Sequence, residues 1–236
     1  AQNLAAMIQV PQRGIVAASI AHLSRAWKEK QMDRIQQIYQ RSSINQLIFA
    51  CCILALMVLS FYDVVNSFGL KAEYQQAFYV VILLGAAKVV DMGTGVNSQI
   101  IATSTYWRFE MISGVVLLLV MLPLSYWFTI EMGIRGTALA QLISISIYNL
   151  IRILFLWKKF RLFPFNRHTL SVIALAGGCF AVCFFSFQQL HGWAGIFIRS
   201  AAFMAIYATA VVLFRFSPDV DAVIKAIKGR LGFGKS

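Results

Sequence analysis

Seven long apolar runs constrain this 236-residue chain more than any other feature, at about 3–24, 44–66, 76–102, 109–130, 134–157, 169–188 and 193–214. A helix needs about 20 largely apolar residues to cross a bilayer, and these runs have that length. In lipid every backbone N–H and C=O must be satisfied within the protein, which leaves helices or closed barrels. The runs are about twice the length of a membrane strand, so the expectation is an all-α membrane protein of about seven transmembrane helices with no β-sheet. Composition agrees: 59% of residues are hydrophobic and 13% charged, against about 45–50% and a quarter in soluble domains. That balance excludes an ordinary cytosolic enzyme, a disordered chain and a disulfide-stapled secreted module.

The formal charge of +12 does not indicate nucleic acid, because the basic residues fall between the apolar runs, as membrane topology dictates. Alternate connections are unequal. One side holds Arg25, Lys28, Lys30, Arg34, Arg41, Arg108, Arg152, Lys158, Lys159, Arg161, Arg167, Arg215, Lys225, Lys228, Arg230 and Lys235; the other holds Lys71, Arg135 and Arg199. The positive-inside rule makes the first side cytoplasmic, so the first span runs outside to inside and the C-terminus is cytoplasmic.

Two segments are polar enough to lie outside the bilayer. Residues 25–43 space Met32, Ile35, Ile38 and Tyr39 at three and four and should form an amphipathic connection. Residues 216–236 carry Ser217, Pro218 and an apolar stripe from Val220 to Leu231, the pattern of a helix lying on anionic lipid or on the protein surface. Trp27, Tyr62, Trp107, Trp127, Trp157 and Trp193 fall near run ends, where aromatic rings favour the headgroup level. Cys51, Cys52, Cys179 and Cys183 lie inside apolar runs without zinc spacing and read as small apolar residues. His22, His168 and His191 are far apart near run ends, and the chain shows no GxGxxG, Walker A or HExxH motif. Residue 1 is Ala and no signal peptide follows, which leads to the expectation of a piece of a longer protein.

Charges inside a span cost several kcal/mol unless they face protein or water, and two places stand out. Arg13 follows Pro11 and is flanked by Gln9, Gln12 and Gly14. It either faces a hydrated cavity or snorkels to the outer headgroups. The run 76–102 contains Lys88, Asp91, Thr94, Asn97, Ser98 and Gln99, and Asp91, Thr94 and Ser98 share one helical face. Lys88 precedes Asp91 by three residues, the spacing of an ion pair. This face either serves a function or is a closed Lys88–Asp91 pair packed on a neighbour. Glu110 and Glu131, at the two ends of one run, should reach headgroups or loops.

Four segments carry a family likeness. VPQRGIVAASIAHLSRAWKEKQMDRIQQIYQRSS at 10–43 resembles a recurring segment of bacterial polysaccharide and lipid-linked oligosaccharide flippases, in which a Pro- and Gly-bearing helix leads through a small residue and "LS" to a basic link. DVVNSFGLKAEYQQA at 63–77 resembles an outer loop of that family, VVDMGTGVNSQIIATSTYWRFE at 89–110 a helix of its export branch, and MGIRGTALAQLIS at 132–144 a helix entry. The likeness covers roughly residues 5–160. It implies the C-terminal lobe of a two-lobe exporter bundle, with 1–157 as lobe helices, 158–214 as two additional helices and 215–236 as a cytoplasmic tail. It implies partners in membrane lipids, in a polyprenyl-pyrophosphate-linked oligosaccharide and in an N-terminal lobe of the same chain that this sequence lacks. It also implies a bacterial inner-membrane location, no cofactor beyond a coupling ion of unspecified kind, and no transport by this part alone.

Two activities follow from the likeness. A flippase for polysaccharide biosynthesis (O-antigen, capsule or exopolysaccharide) would use Arg13 against the pyrophosphate, with Lys88, Asp91, Thr94, Asn97 and Ser98 lining the same cavity. A cation-coupled multidrug antiporter of the same superfamily would instead make Asp91 the ion or proton carrier. Net positive charge in the spans favours the first.

Overall fold

The computed structural model describes residues 2–69, 77–190, 192–216 and 219. They form helices α1 (Gln2–Met7), α2 (Val10–Lys28), α3 (Met32–Ser67), α4 (Ala77–Gly93), α5 (Asn97–Ala102), α6 (Trp107–Met132), α7 (Ile134–Phe160), α8 (Arg167–Ser186) and α9 (Gly192–Phe214). Among the described residues there is no strand. Five helices, α3, α6, α7, α8 and α9, are long and apolar enough to cross a membrane. The chain is an all-α membrane protein. The expected tail helix after 216 lies outside the described residues, apart from Asp219.

The other two of the seven expected spans are interrupted. Run 3–24 breaks between α1 and α2 at Ile8 and Gln9. Pro11 has no N–H to give the carbonyl four residues before it, so the first helix stops and the second begins with Pro in its first turn. Run 76–102 breaks between α4 and α5 at Thr94–Val96. Gly95 takes φ +70 there, a left-handed conformation suited to glycine. A Cβ at Gly95 would sit 2.9 Å from the Ser43 backbone nitrogen, so the same glycine also lets the break press against α3.

The expected amphipathic connection and the second span are one helix. α3 runs 36 residues without Gly or Pro, about 54 Å at 1.5 Å per residue, so its first turns extend beyond the apolar layer. Connections gather at alternate ends of the bundle, as the parity of spans requires. At one end Gln36 bonds both backbone groups of Phe163 (Nε2 to O 2.8 Å; N to Oε1 3.0 Å) and Trp27 Nε1 donates to Ile100 O at 3.2 Å. At the other end Phe68 stacks edge-on with Trp193 at 4.9 Å, and Arg135 lies over the Tyr79 ring at 4.8 Å.

α6 pairs with α7, α4 packs between α3 and α7, and α8 and α9 pack on α3 and on each other. The four cysteines are free and buried in the α3–α8–α9 core beside Phe203 and Tyr207, which agrees with reading them as small apolar residues. A second core joins Leu23, Ile35, Tyr39, Ile100 and Leu156 from α2, α3, α5 and α7.

Two basic residues are misplaced by the sequence-based topology. Arg152 is not in a connection but buried in α7, at 4% exposure. Arg199 is not in an outer loop but buried in α9, where Nη1 donates to Asp63 Oδ2 at 2.9 Å and to Leu59 O at 3.0 Å. Its Nη2 holds the α8–α9 turn through Phe187 O (3.0 Å) and Leu190 O (2.7 Å). Removing both residues from the comparison lowers the two sides by one each and leaves the asymmetry intact.

Candidate functional site

The two helix breaks meet. Gln9, in the α1–α2 break, donates from Nε2 to Asp91 Oδ2 at 3.1 Å, near the end of α4. Asn149 of α7 donates from Nδ2 to the other carboxylate oxygen at 3.2 Å. Asp91 therefore rests on two neutral amides, and the expected Lys88–Asp91 pair is not formed. Lys88 is half-buried on α4 and has no hydrogen bond, ion pair or ring contact among the described residues.

Asn149 also organises the α4–α5 break. Its Oδ1 lies 2.9 Å from Thr94 Oγ1 and accepts from Asn97 Nδ2 at 2.9 Å. Thr94 Oγ1 is also 2.7 Å from Asp91 O, and Asn97 Oδ1 accepts the Ser98 N–H at 2.6 Å. A break in a membrane helix frees backbone groups that lipid cannot satisfy, and neighbouring side chains must take them. Thr94 and Asn97, each 3% exposed, do this.

The network continues through charge. Ser98 Oγ donates to Glu110 Oε1 at 2.7 Å, and Arg152 Nη2 pairs with the same oxygen. Arg152 lies 3.8 Å over the Tyr148 ring, and its Nε is 3.5 Å from Ser113 Oγ. Glu110 thus does not reach out to headgroups: it bridges α5, α6 and α7, while its Oε2 is buried without a partner. One continuous polar cluster ties both breaks to α6 and α7.

Sequence reasoning found Asp91, Thr94, Asn97 and Ser98, and the structure brings them together. It missed Tyr148, Asn149 and Arg152, although a single helical turn holding these residues inside run 134–157 is the available signal. It also missed Asp63 and Arg199, charges that sit within runs 44–66 and 193–214, nearer the run ends than the three singled out. Arg13 stands apart from the cluster. It is exposed on α2, four residues beyond Gln9, and has no partner among the described residues.

The cluster and Arg13 sort the charges of the spans by availability. Asp63 and Glu110 are each paired with a buried guanidinium, and Asp91 with two amides. Arg13 and Lys88 have no partner among the described residues. Comparison of the chain with protein-family models, with curated proteins and with solved structures gives no match.

Proposed function

We propose that the chain is the C-terminal part of a bacterial inner-membrane flippase that moves a polyprenyl-pyrophosphate-linked oligosaccharide by alternating access between two lobes. The observation that carries this reading is the division of charge just described. The unpartnered charges of the interrupted spans are cations, whereas the carboxylates are engaged inside the protein. A pyrophosphate needs a charge-assisted donor where water is scarce, and a guanidinium offers a bidentate, permanently charged one. Arg13 is that contact, exposed on a helix that begins at a break. Lys88 adds positive charge, and the Asp91–Asn149–Thr94–Asn97 cluster holds the two breaks in register. On this reading the missing partner is an N-terminal lobe of the same chain, and the basic end of the bundle faces the cytoplasm.

One observation favours the cation-coupled antiporter. Asp91 is half-exposed and its partners are neutral amides, which leaves its charge available to a cation. The two readings separate in a binding experiment on the full-length protein in nanodiscs. Polyprenyl pyrophosphate should bind more tightly than the matching polyprenol, and Arg13→Ala should remove the difference while Asp91→Asn leaves it. Preferential binding of a lipophilic quaternary ammonium, lost in Asp91→Asn, would decide for the antiporter.

A further inference from the structure

Arg13 and Lys88 lie on opposite sides of the Gln9–Asp91 bond that joins the two helix breaks. Arg13 follows Gln9 by four residues, about one turn along α2, and Lys88 precedes Asp91 by three, about one turn back along α4. α2 and α4–α5 run in the same direction, because they meet at Gln9–Asp91 and again, nearer the ends of both, at Trp27–Ile100. Arg13 therefore stands toward the basic end of the bundle and Lys88 toward the other, their levels about 10 Å apart at 1.5 Å per residue.

Both cations also face the junction. A Cβ at Gly85 would lie 3.6 Å from Ile8 Cδ1, and Asp91 accepts from Gln9, so both positions of α4 meet the α1–α2 break. Lys88 is three residues from each. At 3.6 residues per turn it leaves α4 midway between them, toward the same break. By the same pitch Arg13 shares a face of α2 with Gln9.

We propose that Lys88 is a second anion station, across Asp91 from Arg13, and that the pyrophosphate passes from one to the other as it crosses. This rests on the flippase reading given above. Availability is the first argument. Lys88 is half-buried in an apolar run and has no partner among the described residues, although Asp91 is one turn away. A charge so placed is costly unless water or a counter-ion meets it. Gln9 and Asn149 take both oxygens of Asp91, which withholds the nearest carboxylate from the ammonium and keeps it for a ligand.

The carboxylate between the two cations is the second argument. An anion gripped by Arg13 and Lys88 together would be held too tightly to leave. Asp91 repels an anion that straddles both, so the stations are occupied in turn. Passage requires sites strong enough to admit a ligand and weak enough to release it. The residue types fit that order. The bidentate guanidinium of Arg13 suits capture, and the flexible point charge of Lys88 suits release. With the basic end in the cytoplasm, capture is on the inner side and release on the outer.

The test uses the full-length protein. Binding of polyprenyl pyrophosphate against the matching polyprenol is measured in nanodiscs, and export as surface glycan appearance with membrane insertion quantified. Lys88→Met keeps the apolar stem and removes the charge. It should keep the binding preference for the pyrophosphate while export falls by about 10-fold or more, the lower end of what a charge-assisted contact contributes. Lys88→Gln, polar but uncharged, should behave in the same way, and Lys88→Arg should recover most of the export. Export at the wild-type rate in normally inserted Lys88→Met and Lys88→Gln would overturn the second station. So would loss of the preference as complete as in Arg13→Ala, which would put both cations on one anion at once and leave Arg13 as the contact. Preference kept in Arg13→Ala would instead overturn the reading on which the station rests.

Discussion

Replacing Arg152 by methionine strands a carboxylate, and the structure sets the scale of the cost. The Arg152 side chain is 5% exposed and that of Glu110 is 21% exposed. Methionine fills much of the same volume and can still lie against the Tyr148 ring. What remains is Glu110, with Oε1 held by the Ser98 hydroxyl and Oε2 buried without a partner. Breaking a buried pair by removing one member costs about 3–5 kcal/mol, because the other charge is left uncompensated. The partial exposure of Glu110 places this case at the lower end, about 3 kcal/mol, or roughly 6–12 °C of melting temperature for a chain of this size. Arg152→Met with Glu110→Leu removes both charges and should return to within about 1–2 kcal/mol of the wild type. Thermal unfolding of the purified protein in detergent, followed by intrinsic tryptophan fluorescence, measures Arg152→Met, Glu110→Leu and the double variant. If the double variant melts as low as the sum of the two single losses, the residues are not coupled and the cluster is not a unit.

Asn149→Leu should destabilise by about 2–4 kcal/mol, since it removes one hydrogen bond each from Asp91, Thr94 and Asn97, whereas Lys88→Ala should cost under about 1 kcal/mol because no partner is lost; the same melting assay distinguishes them, and the reverse order would restore a Lys88–Asp91 pair. Gly95→Ala should cost about 2–4 kcal/mol, from left-handed backbone strain plus the 2.9 Å approach to Ser43 N, and an unchanged melting temperature would contradict the close packing of the break on α3. For topology, an impermeant thiol reagent applied to intact cells should miss Lys30→Cys and Lys159→Cys and label Lys71→Cys, and the opposite pattern would invert the orientation.

The all-helical class was legible because hydropathy and backbone satisfaction act locally on each run. The breaks were half legible. Pro11 and the Gly93–Gly95 pair mark them, but such residues also occur in unbroken membrane helices, and the run lengths alone suggested continuous spans. The site was legible where polar residues crowd one helix, as from Asp91 to Ser98. It was not legible where one charge sits alone in an apolar run. Glu110, close to a run end, looked like a headgroup contact until α7 was placed beside it, and Arg152 looked like part of a cytoplasmic connection. Long-range partners decided both, and a single sequence does not display them. The Lys88–Asp91 pairing failed for the same reason: the spacing permits it, but Gln9 and Asn149 arrive from other helices and take both carboxylate oxygens.

The central claim is that an unpartnered arginine on an interrupted helix contacts a pyrophosphate during export. Its most direct measurement is the rate of surface glycan appearance in cells whose sole flippase is the full-length protein, with membrane insertion of each variant quantified alongside. Arg13→Ala should abolish export at normal protein levels, and Arg13→Lys should restore part of it, since the charge returns without the bidentate fork. Export at the wild-type rate in a normally inserted Arg13→Ala protein would contradict the account and make Arg13 a headgroup anchor.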